Sequence, residues 1–273
     1  MDITVSQRKF EEINEFPRVV YKYRTWSNQW HQSILKDQIV FMAAPTDFED
    51  KKDCKLLKRY DLMTEEDMYN WYLKESLSIN SGWTMKQHQD IAKVQVINST
   101  MKNQEEIKKM QEEHFFEFCK QFGVLSLTAN CLRMDMWEKY SENHSGFCVG
   151  FKPKEMFLNF TGGGEVSYHE NLPDIFHNDS FEMEYAKQIY SKEKQWEFEK
   201  EYRTHKFSQD PMSVGDRSVK LPKSCFARVI FGAKIPVQYR EEIIKVCLAQ
   251  DLKVEFFDAV ISSNNAISLI KAN

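Results

Sequence analysis

The chain has 273 residues, of which 42% are hydrophobic and 29% charged, so it has enough apolar surface for a sizeable folded core. Its formal net charge of -4 at pH 7 excludes the global basic field of many nucleic-acid-binding proteins. Nine glycines and seven prolines are too few for a long disordered linker, and we predict one α+β domain over residues 1–273.

The N-terminal part of the chain predicts short strands around one helix. Residues 1–17 indicate a short helix or arm. Residues 18–24 are β-branched and aromatic, which predicts a strand, and Ser27 is a suitable N-cap for the helix that follows. A second short, apolar strand is predicted over residues 38–44, where a proline stops it.

Residues 46–53 form a polar loop with a cluster of acids, namely Asp47, Glu49, Asp50 and Asp53. Carboxylates bind hard cations, but such clusters more often cap a helix and stay in water, so we predict no metal site. Residues 54–122 read as helical, and Thr64 with Asp67 resembles a capping box. We interpret residues 54–122 as a helical insertion between β elements.

The rest of the chain predicts the strands of a mixed, mostly antiparallel sheet. Strands are expected near residues 123–128, 147–151 and 165–168. The tail is the most regular part: a strand, an amphipathic helix and a second strand are predicted at residues 227–232, 237–249 and 253–260. This order predicts a C-terminal β-α-β unit with a right-handed crossover.

The six cysteines form no Cys-x-x-Cys pair and have no histidine at zinc-ligand spacing. They are interpreted as reduced core thiols of a cytoplasmic protein. No run approaches the ~20 apolar residues of a spanning helix, so no membrane association is predicted. No Ser/His/Asp or Cys/His set suggests a hydrolase.

Residues 196–203 are the most unusual stretch. If they form a strand, Glu197, Glu199, Glu201 and Arg203 share one face, and the aromatic residues share the other. Three like charges in a row weaken a strand unless the face is solvated or lies in a cleft. Both interpretations stay open on this pattern alone.

Four stretches in order, residues 21–24, 45–50, 136–147 and 196–203, together resemble the bacterial domain-of-unknown-function family 2971. Residues 229–233 are similar to that family's C-terminal strand. Two stretches depart from the pattern. The family usually has Phe-Asn-Asp-Pro-Phe-Asp where this chain has residues 48–53, and Cys-Phe-Ser where it has residues 125–127 with only Ser126 kept.

The order of a Tyr-basic-Tyr strand, a helix, a serine-bearing strand and a late Glu-x-Glu strand also resembles the layout of ADP-ribosyltransferases. This resemblance implies that Lys22 and Arg24 contact the phosphate or ribose of NAD. It implies that Tyr23 packs on a ring of NAD and that Ser126 supports the ribose pocket. The catalytic carboxylate would be that of Glu201, or else that of Glu199, bonding the 2′-hydroxyl of the nicotinamide ribose.

Four further residues are candidate cofactor contacts with an equally available structural interpretation. Arg203 would clamp a phosphate or pair with Glu201. Trp137 and Tyr140 would stack on a ring of the ligand or pack in the core. His144 lies in a turn, where histidines are usually exposed, and the family resemblance implies a role in the site.

We therefore expect an NAD-using, ADP-ribosyltransferase-like enzyme that transfers ADP-ribose to a macromolecule or cleaves NAD, in a toxin or phage-defence setting. The acceptor is not specified by the sequence. The alternative is a non-catalytic module that binds a protein or a nucleic acid, or forms a homodimer, through residues 54–122. A metal-dependent role of the acidic loop is a lesser option.

Overall fold

The computed structural model describes residues 16–160 and 162–272; the arm predicted for residues 1–17 lies almost wholly outside them. The strands are β1 (Val20–Arg24), β2 (Ile39–Phe41), β3 (Lys58–Arg59), β4 (Phe122–Thr128), β5 (Phe147–Phe151), β6 (Gly163–Glu165), β7 (Ser167–His169), β8 (Ile175–Phe176), β9 (Ser191–Glu193), β10 (Glu201–Phe207), β11 (Ser218–Lys220), β12 (Phe226–Phe231), β13 (Glu255–Ile261) and β14 (Ile267–Lys271). The helices are α1 (Gln29–Lys36), α2 (Glu65–Ile79), α3 (Met85–Ile97), α4 (Gln104–Gln121), α5 (Met134–Tyr140), α6 (Pro153–Phe157), α7 (Phe181–Tyr190), α8 (Val214–Arg217) and α9 (Val237–Ala249).

An eight-stranded sheet forms the centre of the molecule, in the order β14-β13-β12-β5-β1-β4-β10-β6. The neighbouring strands are antiparallel except β12 and β13, which are parallel and joined through α9. The predicted α+β class, the mostly antiparallel sheet and the C-terminal β-α-β unit are therefore confirmed.

Apolar side chains pack against both faces of the sheet. One face carries Val20, Val149 and Phe231 and is covered by α1 and α9. The opposite face carries Tyr21, Tyr23 and Cys148, and α5 covers it with Met136 and Trp137. Because a strand alternates its side chains, Lys22 and Arg24 project on the first face and Tyr21 and Tyr23 on the second.

The region predicted to be helical from residue 54 begins with a short strand instead. β3 pairs with β8, and the helices start only at Glu65. The predicted capping box of α2 is present: the Thr64 side chain accepts from the main-chain nitrogen of Asp67, and the Asp67 carboxylate accepts from that of Thr64. The helices share a small core of their own, formed by Tyr60, Met63, Met68, Met101 and Ile107.

Candidate functional site

The sheet opens between β1 and β4. β1 pairs with β5 along its whole length, whereas its pairing with β4 joins Tyr21 to Thr128 alone among the described residues. Beyond that pair, carbonyls on the open edge of β4 accept hydrogen bonds from groups other than the main chain of β1. Ala43 exchanges both main-chain hydrogen bonds with Val124, and Lys22 Nζ donates to the carbonyl of Ser126 at 2.7 Å.

A cleft of about 860 Å³ occupies this opening. Its walls come from β1, β4, α5, the start of α1, the segment around residues 41–53, and residues between 192 and 201. The volume lies within the range of small-molecule and cofactor sites.

One wall of the cleft is cationic. Arg24 has no carboxylate partner among the described residues; its guanidinium donates to the carbonyl of Tyr23 at 3.1 Å. Burial, and then the charge of Arg24, lower the pKa of Lys22 to about 7. Burial, followed by the charges of Arg24 and Lys22, lowers the pKa of His31 to about 4. The wall is therefore short of negative charge, which an anionic ligand would supply.

The opposite wall contains the unusual stretch, and the strand considered for residues 196–203 is present only from residue 201 on. Residues Lys194–Glu199 form a 3₁₀ turn, and Lys200 is left-handed with φ 42°. The strand begins only at Glu201. A left-handed residue cannot continue a strand, so the alternation of the sequence does not describe the backbone. Glu197 is exposed, whereas Glu199 and Glu201 are both buried.

Glu199 and Glu201 are held in a buried network of charges. Lys192 Nζ lies 2.6 Å from Glu199 Oε2 and 2.9 Å from Glu201 Oε2. Arg203 binds both oxygens of Glu201, at 2.7 and 3.0 Å, and donates to Asp53 Oδ2 at 2.7 Å. The network contains three carboxyl groups and two cations, a surplus of one carboxyl group, and Asp53, Glu199 and Glu201 all line the cleft.

The network fixes the charge of Glu201. Burial acts to raise the pKa of this carboxyl, but the charges of Arg203 and Lys192 outweigh it and lower the pKa to about 2. Burial likewise opposes the charge of Lys192, and Glu201, Asp53 and Glu199 reverse that effect and raise its pKa. Glu201 is thus a fixed negative charge, too weak a base to accept a proton near neutral pH.

Seven of the ten predicted site residues line the cleft. They are Lys22, Tyr23, Arg24, Ser126, Tyr140, Glu199 and Glu201. Tyr140 donates from its hydroxyl to Glu199 Oε1 at 3.1 Å and is 37% exposed. Tyr23 belongs mainly to the core, where its ring packs edge-on against Trp137.

The other three predicted residues do not line the cleft. Arg203 is fully buried behind Glu201 and pairs with it, as the structural interpretation of this residue expected. Trp137 is fully buried and donates to the carbonyl of Cys131. His144 is 1% exposed, contrary to the usual exposure of a turn histidine, and stacks parallel to Trp137.

Lys192, His31 and Trp196 line the cleft but were not predicted as site residues, and Asp53, which also lines it, was named only in the acidic cluster considered for a metal-dependent role. Lys192 precedes the unusual stretch, and its cation is what allows two buried glutamates to lie together. A basic residue seven positions before the Glu-x-Glu pattern of Glu199 and Glu201 was the available signal. Nothing local marks His31 or Asp53, because their place depends on contacts distant in sequence.

The acidic loop is tied to the network rather than arranged around an ion. Asp53 binds Arg203, while Asp47 accepts from the main-chain nitrogen of Ala44. Within residues 16–160 and 162–272, no group of three or more His, Cys, Asp or Glu side chains is placed to hold a metal ion.

Comparison with known proteins gives one match. The model of a family described as a protein of unknown function (DUF2971) matches residues 136–204. Over this stretch the chain is similar to that family. The match contains most of α5, the turn at His144 and the residues from Lys192 to Arg203, so it covers part of the cleft and all of the charged network except Asp53. No curated protein and no solved structure matches the chain. No helix in the described part of the chain is long and apolar enough to cross a membrane.

Proposed function

We propose that the cleft binds NAD and that the protein transfers ADP-ribose to a macromolecule or cleaves NAD. The observation that carries this proposal is the division of the cleft between a cationic wall, Lys22 and Arg24, and a wall with Glu199 and the ionised carboxylate of Glu201. A pyrophosphate would supply the negative charge that the first wall lacks. The ring and ribose at the other end of the ligand would then lie towards the carboxylates.

The carboxylate wall suits the chemistry of the nicotinamide–ribose bond. As that bond breaks, positive charge develops on the ribose in an oxocarbenium-like transition state. A preorganised negative charge stabilises such a state and needs no rearrangement when the charge appears. Glu201 stays ionised, and the network around it keeps a surplus of one carboxyl group. Its role would be electrostatic, or that of hydrogen-bond acceptor to a ribose hydroxyl.

Arg24 offers the cleanest test of binding. It has no carboxylate partner among the described residues, so replacing it leaves no buried charge unpaired. We expect Arg24→Gln to weaken NAD binding by about tenfold or more, since a charged hydrogen bond is worth about 1.5–3 kcal/mol, with little change in stability. Arg18→Gln, at an exposed position just before the strand, is the matched control. Calorimetric titration with NAD gives the dissociation constants.

Turnover is tested by nicotinamide release and by transfer of label from NAD to protein or nucleic acid in a lysate. The wild-type protein should release nicotinamide, and Glu199→Gln should slow release by about 10²-fold or more if this carboxylate acts on the ribose. Glu197→Gln removes an exposed carboxylate of the same turn and should have no effect. Absence of both NAD binding and nicotinamide release would refute the proposal.

A second candidate function is favoured by the surface of the helical region. The hairpin of α2 and α3 exposes large apolar side chains, namely Leu77, Ile79, Trp83, Met85, Val94 and Ile97. Exposed large apolar side chains favour contact with a protein more than with a nucleic acid, whose interfaces are more polar and positively charged. The non-catalytic alternative is therefore a protein-binding module.

The two functions are separable by surface substitution. Ile79→Ser with Ile97→Ser, at positions 70% and 74% exposed, should leave NAD binding unchanged and abolish a complex formed through the hairpin. The binding-module function requires a complex that survives Arg24→Gln and is lost in the double variant. The enzyme function requires nicotinamide release that is lost in Arg24→Gln and survives in the double variant.

A further inference from the structure

Two aromatic rings at the mouth of the cleft hold the ammonium group of one lysine. Lys139 Nζ lies 4.8 Å from the ring centroid of Tyr140 and 4.9 Å from that of Trp196. All three side chains line the cleft, and Lys139 is exposed. We call the Tyr140–Trp196 pair the aromatic clamp. A cation within about 6 Å of a ring centroid is attracted by the ring face, and proteins use several such rings to recognise ammonium groups such as those of choline and methyl-lysine.

The clamp does not depend on Lys139 for its position. The Tyr140 hydroxyl is bound by Glu199 at 3.1 Å, and Glu199 is itself held by Lys192. Trp196 packs against Phe198 and lies under Lys192, whose ammonium is 5.5 Å from its ring centroid. Both rings would therefore stay in place if Lys139 moved out.

The ammonium group of Lys139 is also held only weakly between the two rings. Its ammonium has no hydrogen bond or ion pair with the described residues, and its contacts with Tyr140 and Trp196 are those of an exposed side chain. A cation–π contact at such a site contributes only about 0.5–1 kcal/mol. The ammonium of Lys139 can thus be replaced by another one at small cost.

The surroundings favour a cation over an anion at this place. The carboxyl groups of the network lie on the same wall, and Glu199 accepts a hydrogen bond from the hydroxyl of Tyr140 in the clamp. Glu142 and the loop acids Asp47, Glu49 and Asp50 also line the cleft. A ligand cation would therefore meet negative potential as well as the ring faces.

We propose that the aromatic clamp is a binding site for an alkylammonium group from another molecule, either a lysine side chain of a partner protein or a polyamine. Lys139 occupies the site in the free protein. If the cleft performs the transfer proposed above, the clamp would hold the partner beside Glu199, and that last step alone rests on the proposed function.

The test uses the full chain with ¹⁵N-labelled tryptophan and follows the indole resonance of Trp196, assigned by its loss in Trp196→Phe. Spermidine and a short glycine–lysine peptide are the two probes, and the same peptide with acetylated lysines is the neutral control. Saturation by spermidine alone would identify a polyamine site. A clear preference for the peptide would identify a protein partner.

Substitution at Lys139 gives the sharpest result. Lys139→Ala should bind the preferred probe about two- to fivefold more tightly, because the internal competitor is gone. Lys194→Ala removes the same charge from a nearby exposed lysine that pairs with Glu197 outside the clamp, and it should change affinity less. Trp196→Ala should weaken binding at least tenfold, whereas Tyr140→Phe keeps its ring and should retain most of the binding.

Three results would overturn the proposal: equal gains in Lys139→Ala and Lys194→Ala, unchanged binding in Trp196→Ala, or a Trp196 response to adenosine monophosphate but to neither cationic probe. The last result would indicate a site for a nucleobase. Cation binding in a protein that does not bind NAD would leave the clamp standing and refute the proposed function. NAD binding without cation binding would refute the clamp and leave the proposed function standing.

Discussion

Lys22 on β1 donates from its ammonium to the main-chain carbonyl of Ser126 on β4, 2.7 Å away, across the gap where the two strands part. A strand carbonyl in this position would ordinarily accept from the neighbouring strand. Here the side chain of Lys22 donates to the carbonyl instead, so β1 and β4 can separate without leaving this main-chain acceptor unpaired. The cost is a lysine that is enclosed beside Arg24 and whose pKa falls to about 7.

The charge of Lys22 predicts a pH dependence of NAD binding. An anion beside Lys22 favours its protonated form, so above about pH 7 binding takes up a proton and the affinity falls by up to about tenfold per pH unit. The pyrophosphate of NAD does not titrate in this range, and His31, with a pKa of about 4, stays neutral. The charged groups near Lys22 are Arg24, Arg203, Glu199 and Glu201.

Calorimetric titration with NAD between pH 6 and 9, in buffers of different ionisation enthalpy, measures both affinity and proton uptake. Lys22→Arg keeps its charge throughout and should bind without the pH dependence. Lys22→Gln should bind weakly at every pH. An affinity of the wild-type protein that stays constant from pH 6 to 9 would contradict the assigned role of Lys22.

The ion pair of Arg203 and Glu201 predicts both a loss of stability and a change in acid sensitivity. The pKa of Glu201 in the folded protein is about 2, below the ordinary 4.5, so its stabilisation is complete above about pH 4.5 and is lost as the pH falls towards 2. That window accounts for at most about 3 kcal/mol. Glu201→Gln leaves Arg203 short of a charge partner and should destabilise the protein by about 3–5 kcal/mol at pH 7.

Denaturant unfolding at pH 7 and at several values between 5 and 2 checks this. The free energy of unfolding of the wild-type protein should fall as the pH is lowered from about 4.5 towards 2, and that of Glu201→Gln should change less with pH. Glu197→Gln is the matched control, because its carboxylate is exposed and, among the residues that the structure describes, its ion pair is with Lys194 in the 3₁₀ turn. If Glu201→Gln is as stable as the wild-type protein, the charged network does not stabilise the fold around the site.

The turn after α5 depends on a close approach of main chains. Glu142, Asn143 and His144 all have positive φ, at 52°, 51° and 70°. A Cβ at Gly232 would lie 2.1 Å from the carbonyl oxygen of His144, which only glycine avoids. Gly232→Ala should therefore displace the turn and destabilise the protein by about 1–3 kcal/mol. Glu142, which lines the cleft, would move with it.

Gly164→Ala is the control for this change, because the nearest atom to its Cβ in the described part of the chain would be on the ring of Tyr190, at 3.9 Å. Thermal unfolding should separate the two variants by several degrees. If Gly232→Ala unfolds at the temperature of Gly164→Ala, the left-handed turn is adaptable and does not set the geometry of the cleft rim.

The sequence predicted the parts of the fold that local pattern controls. The C-terminal strand, helix and strand were predicted because their apolar residues repeat with the period of each element, and the crossover rule then placed the two strands in parallel. The capping box at Thr64 was predicted for the same reason, since all its partners lie within one turn.

The candidate site was predicted only in part, because its geometry depends on one residue and on distant contacts. Glu199 and Glu201 do lie together, yet not as neighbours on a strand. The left-handed Lys200 turns the chain between them, and Lys192 bridges them. Alternating residue types do not reveal such a turn, because a single φ of 42° leaves no periodic signal. The burial of His144 under Trp137 likewise depends on the tertiary packing of α5.

Asp53 predicts how the acidic loop contributes to the site. Its Oδ2 is the atom that joins residues 46–53 to Arg203, at 2.7 Å, and it also lies 3.4 Å from Lys192 Nζ. Asp53→Asn keeps the size of the side chain but removes one of the three carboxyl groups that face two cations. We expect the free energy of unfolding to fall by about 1–3 kcal/mol and the loop to be cleaved faster by a protease.

Asp50→Asn is the matched control in the same loop. Asp50 accepts through Oδ1 from the main-chain nitrogen of Lys52, a hydrogen bond that an asparagine oxygen can keep. Limited proteolysis with cleavage sites mapped by mass spectrometry, together with denaturant unfolding, compares the two variants. Because Asp53→Asn also removes the surplus carboxyl group, nicotinamide release should slow in this variant more than its NAD affinity falls. Equal cleavage rates and equal stability in the two variants would show that the loop is held without its bond to Arg203.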